Sequence, residues 1–78
     1  MDKTELLKKL GNIIKFNRKK LNLSQEELGF KCNLTRNQIS QFERGLHDIR
    51  FTTLVKLINV LQLNCDELFY KAHKDTNI

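Results

Sequence analysis

The stretch QEELGFKCNLTRNQISQF, residues 25–42, decides how this chain folds. It divides into two short amphipathic segments, about Gln25 to Cys32 and about Arg36 to Arg44. Ser24 precedes the first, with Glu27 three residues on; Thr35 precedes the second, with Gln38 three residues on. Each pair is a capping box: the hydroxyl accepts an orphan backbone N–H, and the acid or amide reaches back to the cap. Asn33 and Leu34 lie between the segments, and asparagine tolerates the left-handed backbone that a sharp helix exit needs. Gly29 falls on the inner face of the first helix, where the absence of a side chain permits close approach. Leu28, Cys32, Leu34, Ile39 and Phe42 supply the apolar groups of the faces that meet. Two capped helices crossing at so short a turn are the sequence form of a helix-turn-helix, a motif whose second helix fits a DNA major groove.

The flanking sequence supplies more helices. From about Thr4 to Leu21, the residues Leu6, Leu7, Leu10, Ile14 and Leu21 recur at three- and four-residue spacings, with lysines on the other face. Gly11 inside this helix costs about 1 kcal/mol of propensity relative to alanine, which a close packing contact would justify. Asn22 turns the chain before Ser24. Beyond Gly45, which suits a C-terminal cap, residues 46–50 form a loop. A further helix then covers about Phe51 to Gln62, with Leu54, Leu57, Ile58 and Leu61 inward and Leu63 and Asn64 ending it. Asn64 caps a short fifth helix from about Cys65 to Lys71, whose Asp66 and Glu67 suit the positive end of the helix dipole. Leu68 and Phe69 close the core. Residues 72–78 form a polar tail.

The chain has no proline, and no alternating strand pattern is bounded by turn residues. The expectation is therefore all-α: five helices forming one domain over residues 1–71. Seventy-eight residues bury only a marginal core, which favours dimerisation. The net charge of +5 favours an anionic partner. Residues 1–20 hold seven Lys/Arg against Asp2 and Glu5, whereas residues 21–78 hold seven charges of each sign. The excess thus lies on the first helix, not on the second helix of the motif, and a solvated basic face accounts for it equally well.

Cys32 and Cys65 are far apart and in helical patterns. No pair has metal-ligand spacing, and His47 and His73 have no companions, so no metal or cofactor is expected. Free thiols fit a reducing cytoplasm. Charge interrupts the apolar residues near the N-terminus at every turn, unlike a signal peptide, and no run reaches membrane-spanning length. No nucleophile–base set, phosphate-cradling glycine loop or paired inward carboxylates points to an enzyme.

The order of elements resembles the XRE family, the lambda Cro and cI-like helix-turn-helix proteins of bacteria and phages. The matching residues are Arg18, then Leu-Ser-Gln-Glu-Glu-Leu at 23–28, then Ile39-Ser40-Gln41-Phe42-Glu43-Arg44-Gly45, then Leu54 and Leu57, then Asp66-Glu67-Leu68. They span about Leu10 to Phe69. The resemblance implies a five-helix bundle that binds operator DNA as a two-fold dimer and regulates transcription. Ile49 stands where members usually carry proline, Asn33 where many have a turn glycine, Gly29 where alanine is usual, and Asn17 where an apolar residue is common. The missing proline and the similar length also resemble the restriction–modification controller subgroup.

Within that frame Arg36, Asn37, Ser40 and Gln41 form the outward stripe of the second motif helix, while Ile39 and Phe42 point inward. Arginine can fork onto guanine O6 and N7, and Asn or Gln onto adenine N6 and N7. The resemblance places base contacts at Arg36, Asn37 and Gln41. Ser24, Gln25 and Thr35 at helix starts, and Arg44, His47 and Arg50 after the second motif helix, are placed to meet phosphates; solvated loop charge is the alternative for the last three. The resemblance also implies an internal ion pair between Arg18 and Glu43. The apolar stripe of the fourth helix is wider than one core face needs, so Phe51 and Val55, with Phe69 and Tyr70, suggest a dimer face; closure of the chain's own core is the alternative. Phe16 and Phe30 are extra apolar groups at sites expected to be exposed. The reading that follows is a cytoplasmic regulator that binds a near-palindromic operator in double-stranded DNA as a homodimer and blocks or contacts RNA polymerase. An antitoxin-like module that caps another protein is the competing class.

Overall fold

A computed structural model describes residues 2–64. Four α-helices occur in this range: α1 (Lys3–Lys20), α2 (Gln25–Cys32), α3 (Arg36–Glu43) and α4 (Phe51–Leu61). Each lies within a residue of the extent read from the sequence. The fifth helix expected over residues 65–71, with Leu68, Phe69 and Tyr70, lies outside the described residues, as does the tail.

The helix starts follow from local chemistry. Asp2 caps α1 by accepting the Glu5 N–H at 2.9 Å. The two capping boxes are complete in both directions. Ser24 Oγ accepts the Glu27 N–H at 2.9 Å, and Glu27 Oε1 accepts the Ser24 N–H at 2.8 Å. Thr35 Oγ1 accepts the Gln38 N–H at 3.1 Å, and Gln38 Oε1 accepts the Thr35 N–H at 2.9 Å. The exits use left-handed residues: Asn22 at φ 59°, Asn33 at φ 58°, Gln62 at φ 56° and Gly45 at φ 70°.

The core is small. Ile14, Leu28, Cys32, Ile39, Phe42, Leu57, Leu61 and Leu63 are buried, with Leu10, Ile13, Leu23, Leu34, Ile49, Ile58 and Val60 packed around them. α3 packs chiefly against α2 and then against α1, and α4 packs against the same two helices. The thiol of Cys32 sits in this core, and desolvation by burial pushes it above the usual thiol range.

The structure departs from the sequence expectation at both ends of α1 and at Leu63. Leu6 and Leu21, read as part of the inner stripe of α1, are exposed at 38% and 40%. Both lie near the ends of α1, which is longer than its neighbours, and outside the core cluster. Ile13 takes their place beside Leu10 and Ile14. The inner face of α1 continues past Ile14 with polar residues: Asn17 and Arg18 are both buried. Asn17 Nδ2 donates to the Ile13 carbonyl at 2.8 Å, which satisfies it one turn back. Leu63, read only as a helix breaker, is a core residue.

The two glycines of the tight packing behave alike. A Cβ on Gly11 would meet the carbonyl oxygens of Phe42 and Glu43 at 2.5 and 2.6 Å; one on Gly29 would meet the Leu34 carbonyl oxygen at 2.6 Å. Gly11 therefore sets how close α1 comes to the end of α3, and Gly29 how tightly the turn closes on α2. Among the described residues no helix is long and apolar enough to cross a membrane.

Candidate nucleic-acid interface

The outward side of α3 is set by what its inward side buries. Ile39, Phe42 and Glu43 are buried, so Arg36 and Asn37 stand exposed at the N-terminal end, with Ser40 and Gln41 half-buried one turn on. Asn37 and Gln41 are four residues apart and lie on one side of the helix. A shallow cleft joins this side to the start of α2; its walls are Gln25, Thr35, Arg36, Asn37 and Ser40. Three of the four residues read as base-facing and two of those read as phosphate-facing thus meet in one place. The cleft suits an anionic, hydrogen-bonding surface: it offers a guanidinium, two carboxamides and two hydroxyls, and no carboxylate lines it.

The other candidates lie around it. Ser24 is exposed and borders a separate depression with Glu26, Glu27, Phe30 and Lys31. Arg44 follows α3 as its C-cap, His47 lies in the loop, and Arg50 precedes α4; all three are exposed. Phe51 is 77% exposed and Val55 38%; the other two residues read as a dimer face, Phe69 and Tyr70, are outside the described residues. Phe16 and Phe30 are exposed.

Beneath the cleft is a buried charge network. Glu43 Oε2 accepts Arg18 Nε at 2.6 Å, and Oε1 accepts Arg18 Nη2 at 3.1 Å. The two side chains are 9% and 1% exposed. Arg18 Nη1 donates to the Leu23 carbonyl at 2.8 Å, and Gln25 Nε2 donates to Glu43 Oε1 at 3.2 Å. Among the described residues, no buried side-chain nitrogen or oxygen is left without a partner. The Gln25–Glu43 bond has no local signature: the residues are 18 apart and on different helices, so periodicity and capping rules could not have found it.

Known proteins with the same motif share sequence and fold with this chain. The helix-turn-helix family model matches residues 14–68. The control protein C.BamHI of Bacillus amyloliquefaciens is 37% identical over 49 residues, covering 63% of this chain and 60% of that protein. The HTH-type transcriptional regulator ImmR of Bacillus subtilis (strain 168) is 36% identical over 62 residues, covering 80% of this chain and 49% of that protein. The matched part therefore spans only about half to three fifths of these two curated relatives. The crystal structure of a tyrosine-to-phenylalanine mutant of the restriction–modification controller protein C.Esp1396I superimposes with a TM-score of 0.75 at 30% identity, covering 91% of this chain and 90% of that one. This chain belongs to the XRE-type helix-turn-helix family of transcriptional regulators.

Proposed function

We propose that this chain is a sequence-specific DNA-binding regulator that works in the cytoplasm as a homodimer on a near-palindromic operator, as a repressor of its own promoter. The observation that carries the reading is the cleft in which Arg36, Asn37 and Ser40 of α3 meet Gln25 and Thr35. α3 enters the major groove with Arg36, Asn37, Ser40 and Gln41 toward base edges. Ser24, Gln25 and Thr35 sit at helix starts, where backbone N–H groups and the helix dipole favour a phosphate. Arg44, His47 and Arg50 meet the flanking backbone, and the lysines of α1 add long-range attraction. Occupancy of promoter DNA blocks RNA polymerase or contacts it. Two of the three named relatives are controller proteins, which favours a controller role in a restriction–modification system as the second reading. A methyltransferase and endonuclease gene pair beside this gene would favour it.

The test is enrichment of duplexes from a randomised library, followed by salt-dependent binding titrations against random competitor. The wild-type chain selects a sequence whose affinity falls steeply with salt. Arg36→Ala loses about 1–3 kcal/mol on that sequence and relaxes preference at one base pair, whereas Arg50→Ala weakens all sequences alike. Unchanged discrimination in Arg36→Ala would show that α3 does not read bases in this register.

A further inference from the structure

The buried pair under the cleft does more than join α1 to α3. Glu43 Oε1 receives both Arg18 Nη2 and the Gln25 carboxamide. Arg18 also holds the Leu23 carbonyl, two residues before Gln25. One guanidinium thus grips the backbone that leads into Gln25 and the carboxylate that receives its side chain. A glutamine at an open helix start can exchange its nitrogen and oxygen by a half-turn at little cost, because solvent satisfies either orientation. Beside a carboxylate the two orientations differ: Nε2 donates a charge-assisted hydrogen bond, whereas Oε1 would face another acceptor. One N–H of Nε2 is taken by Glu43. The same nitrogen carries a second N–H, on a side chain that forms a wall of the cleft.

We propose that Glu43, held by Arg18, is a positioning residue for Gln25: it locks the carboxamide so that an N–H, not a carbonyl, is offered to a DNA phosphate at the cleft. The proposal rests on the DNA reading above. The lock also explains how a carboxylate is tolerated beneath a surface meant for polyanions, since the guanidinium neutralises it and the amide stands in front of it. The pair therefore sets the hydrogen-bonding character of the α2 start before DNA arrives, which spares the ordering cost of a free side chain.

The test combines side-chain amide NMR of the full chain with a double-mutant cycle on the duplex enriched by the wild type. In the free wild-type protein the two Gln25 Nε2 protons should be widely split, one downfield and slow to exchange; duplex should then shift the other. Gln25→Ala and Glu43→Gln should each weaken binding about threefold to tenfold, the worth of one such hydrogen bond. The double variant should bind no worse than Gln25→Ala alone, because Glu43 acts through Gln25. Denaturation curves run alongside identify any variant that fails to fold, in which case the wild-type NMR decides. Losses that multiply in the double variant, or Gln25 protons at free-carboxamide positions with fast exchange, would overturn the positioning role while leaving DNA binding intact. A wild-type chain that enriches no duplex overturns the DNA reading and this proposal with it, whatever the amide spectrum shows.

Discussion

Arg18 and Glu43 illustrate why single side chains matter so much in a domain of this size. Taking two charges out of water costs several kcal/mol per ion, recovered only with good geometry and full hydrogen bonding. Here the guanidinium is bidentate on the carboxylate and has a backbone carbonyl for its third donor. Loss of either partner strands the other in the interior. Glu27 is the opposite case, a charge that works at the surface. The backbone N–H of Ser24 and then its hydroxyl hold the Glu27 carboxyl below its ordinary value of 4.5. Asp48 is likewise lowered by the Lys3 ammonium, 2.7 Å away. Because both are lowered in the folded state, the folded chain binds fewer protons than the unfolded one below about 4.5 through Glu27 and below about 3.8 through Asp48. Each contribution is complete above its own ordinary value and fades as pH falls through the lowered native one. Chemical denaturation between neutral and acid pH should show this loss. Glu27→Gln should flatten part of the slope while keeping most of the stability at neutral pH, since Gln38 already performs the same capping task in α3.

Among the helices, α1 shows how an unfavourable local choice is made good by packing. Glycine in the middle of an 18-residue helix weakens it. The carbonyl oxygens at the end of α3 occupy the space a methyl group would need. Gly11→Ala should therefore destabilise the domain by about 1–3 kcal/mol despite its gain in propensity, measured by urea unfolding. A more stable Gly11→Ala protein would mean that α1 can back away from α3 at no cost. Gln62 poses a similar trade at the end of α4. It holds a left-handed conformation that costs an ordinary residue about 1–2 kcal/mol. The turn it makes buries Leu63, whose N–H reaches the Ile58 carbonyl at 3.0 Å.

For the molecule as a whole, the question is what α4 faces. Leu57 and Leu61 fill the core, whereas Phe51, Val55 and half-buried Ile58 fall at four- and three-residue steps along an adjacent strip. Phe51 is 77% exposed, and it is its continuity with Val55 and Ile58, not its exposure alone, that makes the strip a candidate contact surface. Under the homodimer reading this strip meets its two-fold mate. Phe51→Glu should shift sedimentation velocity toward the monomer and weaken operator binding through lost dimerisation. Its effect on unfolding of the monomer should stay within about 0.5 kcal/mol, because the side chain is exposed. A wild-type chain that sediments as a monomer at all accessible concentrations would remove α4 as a dimer face.

Local chemistry alone makes the motif legible. Capping boxes, the left-handed Asn33, and apolar residues at helical spacing depend on neighbours within about a turn, and α2 and α3 begin where Ser24 and Thr35 imply. The glycines at 11 and 29 likewise announced close packing, because only a close contact repays their cost. Distant partners were another matter. Whether Leu6 and Leu21 are covered depends on how far other helices extend alongside α1, and no periodicity in α1 contains that information. Arg18 and Glu43 were paired only through family resemblance, and the Gln25 amide on Glu43 had no precursor in the sequence. Hydrogen bonds between residues 18 and 25 positions apart exist only once α1, α2 and α3 have packed. The helices and their outward chemistry are therefore written in short-range order, whereas burial of charge and the orientation of Gln25 arise from the packing that brings three helix ends together.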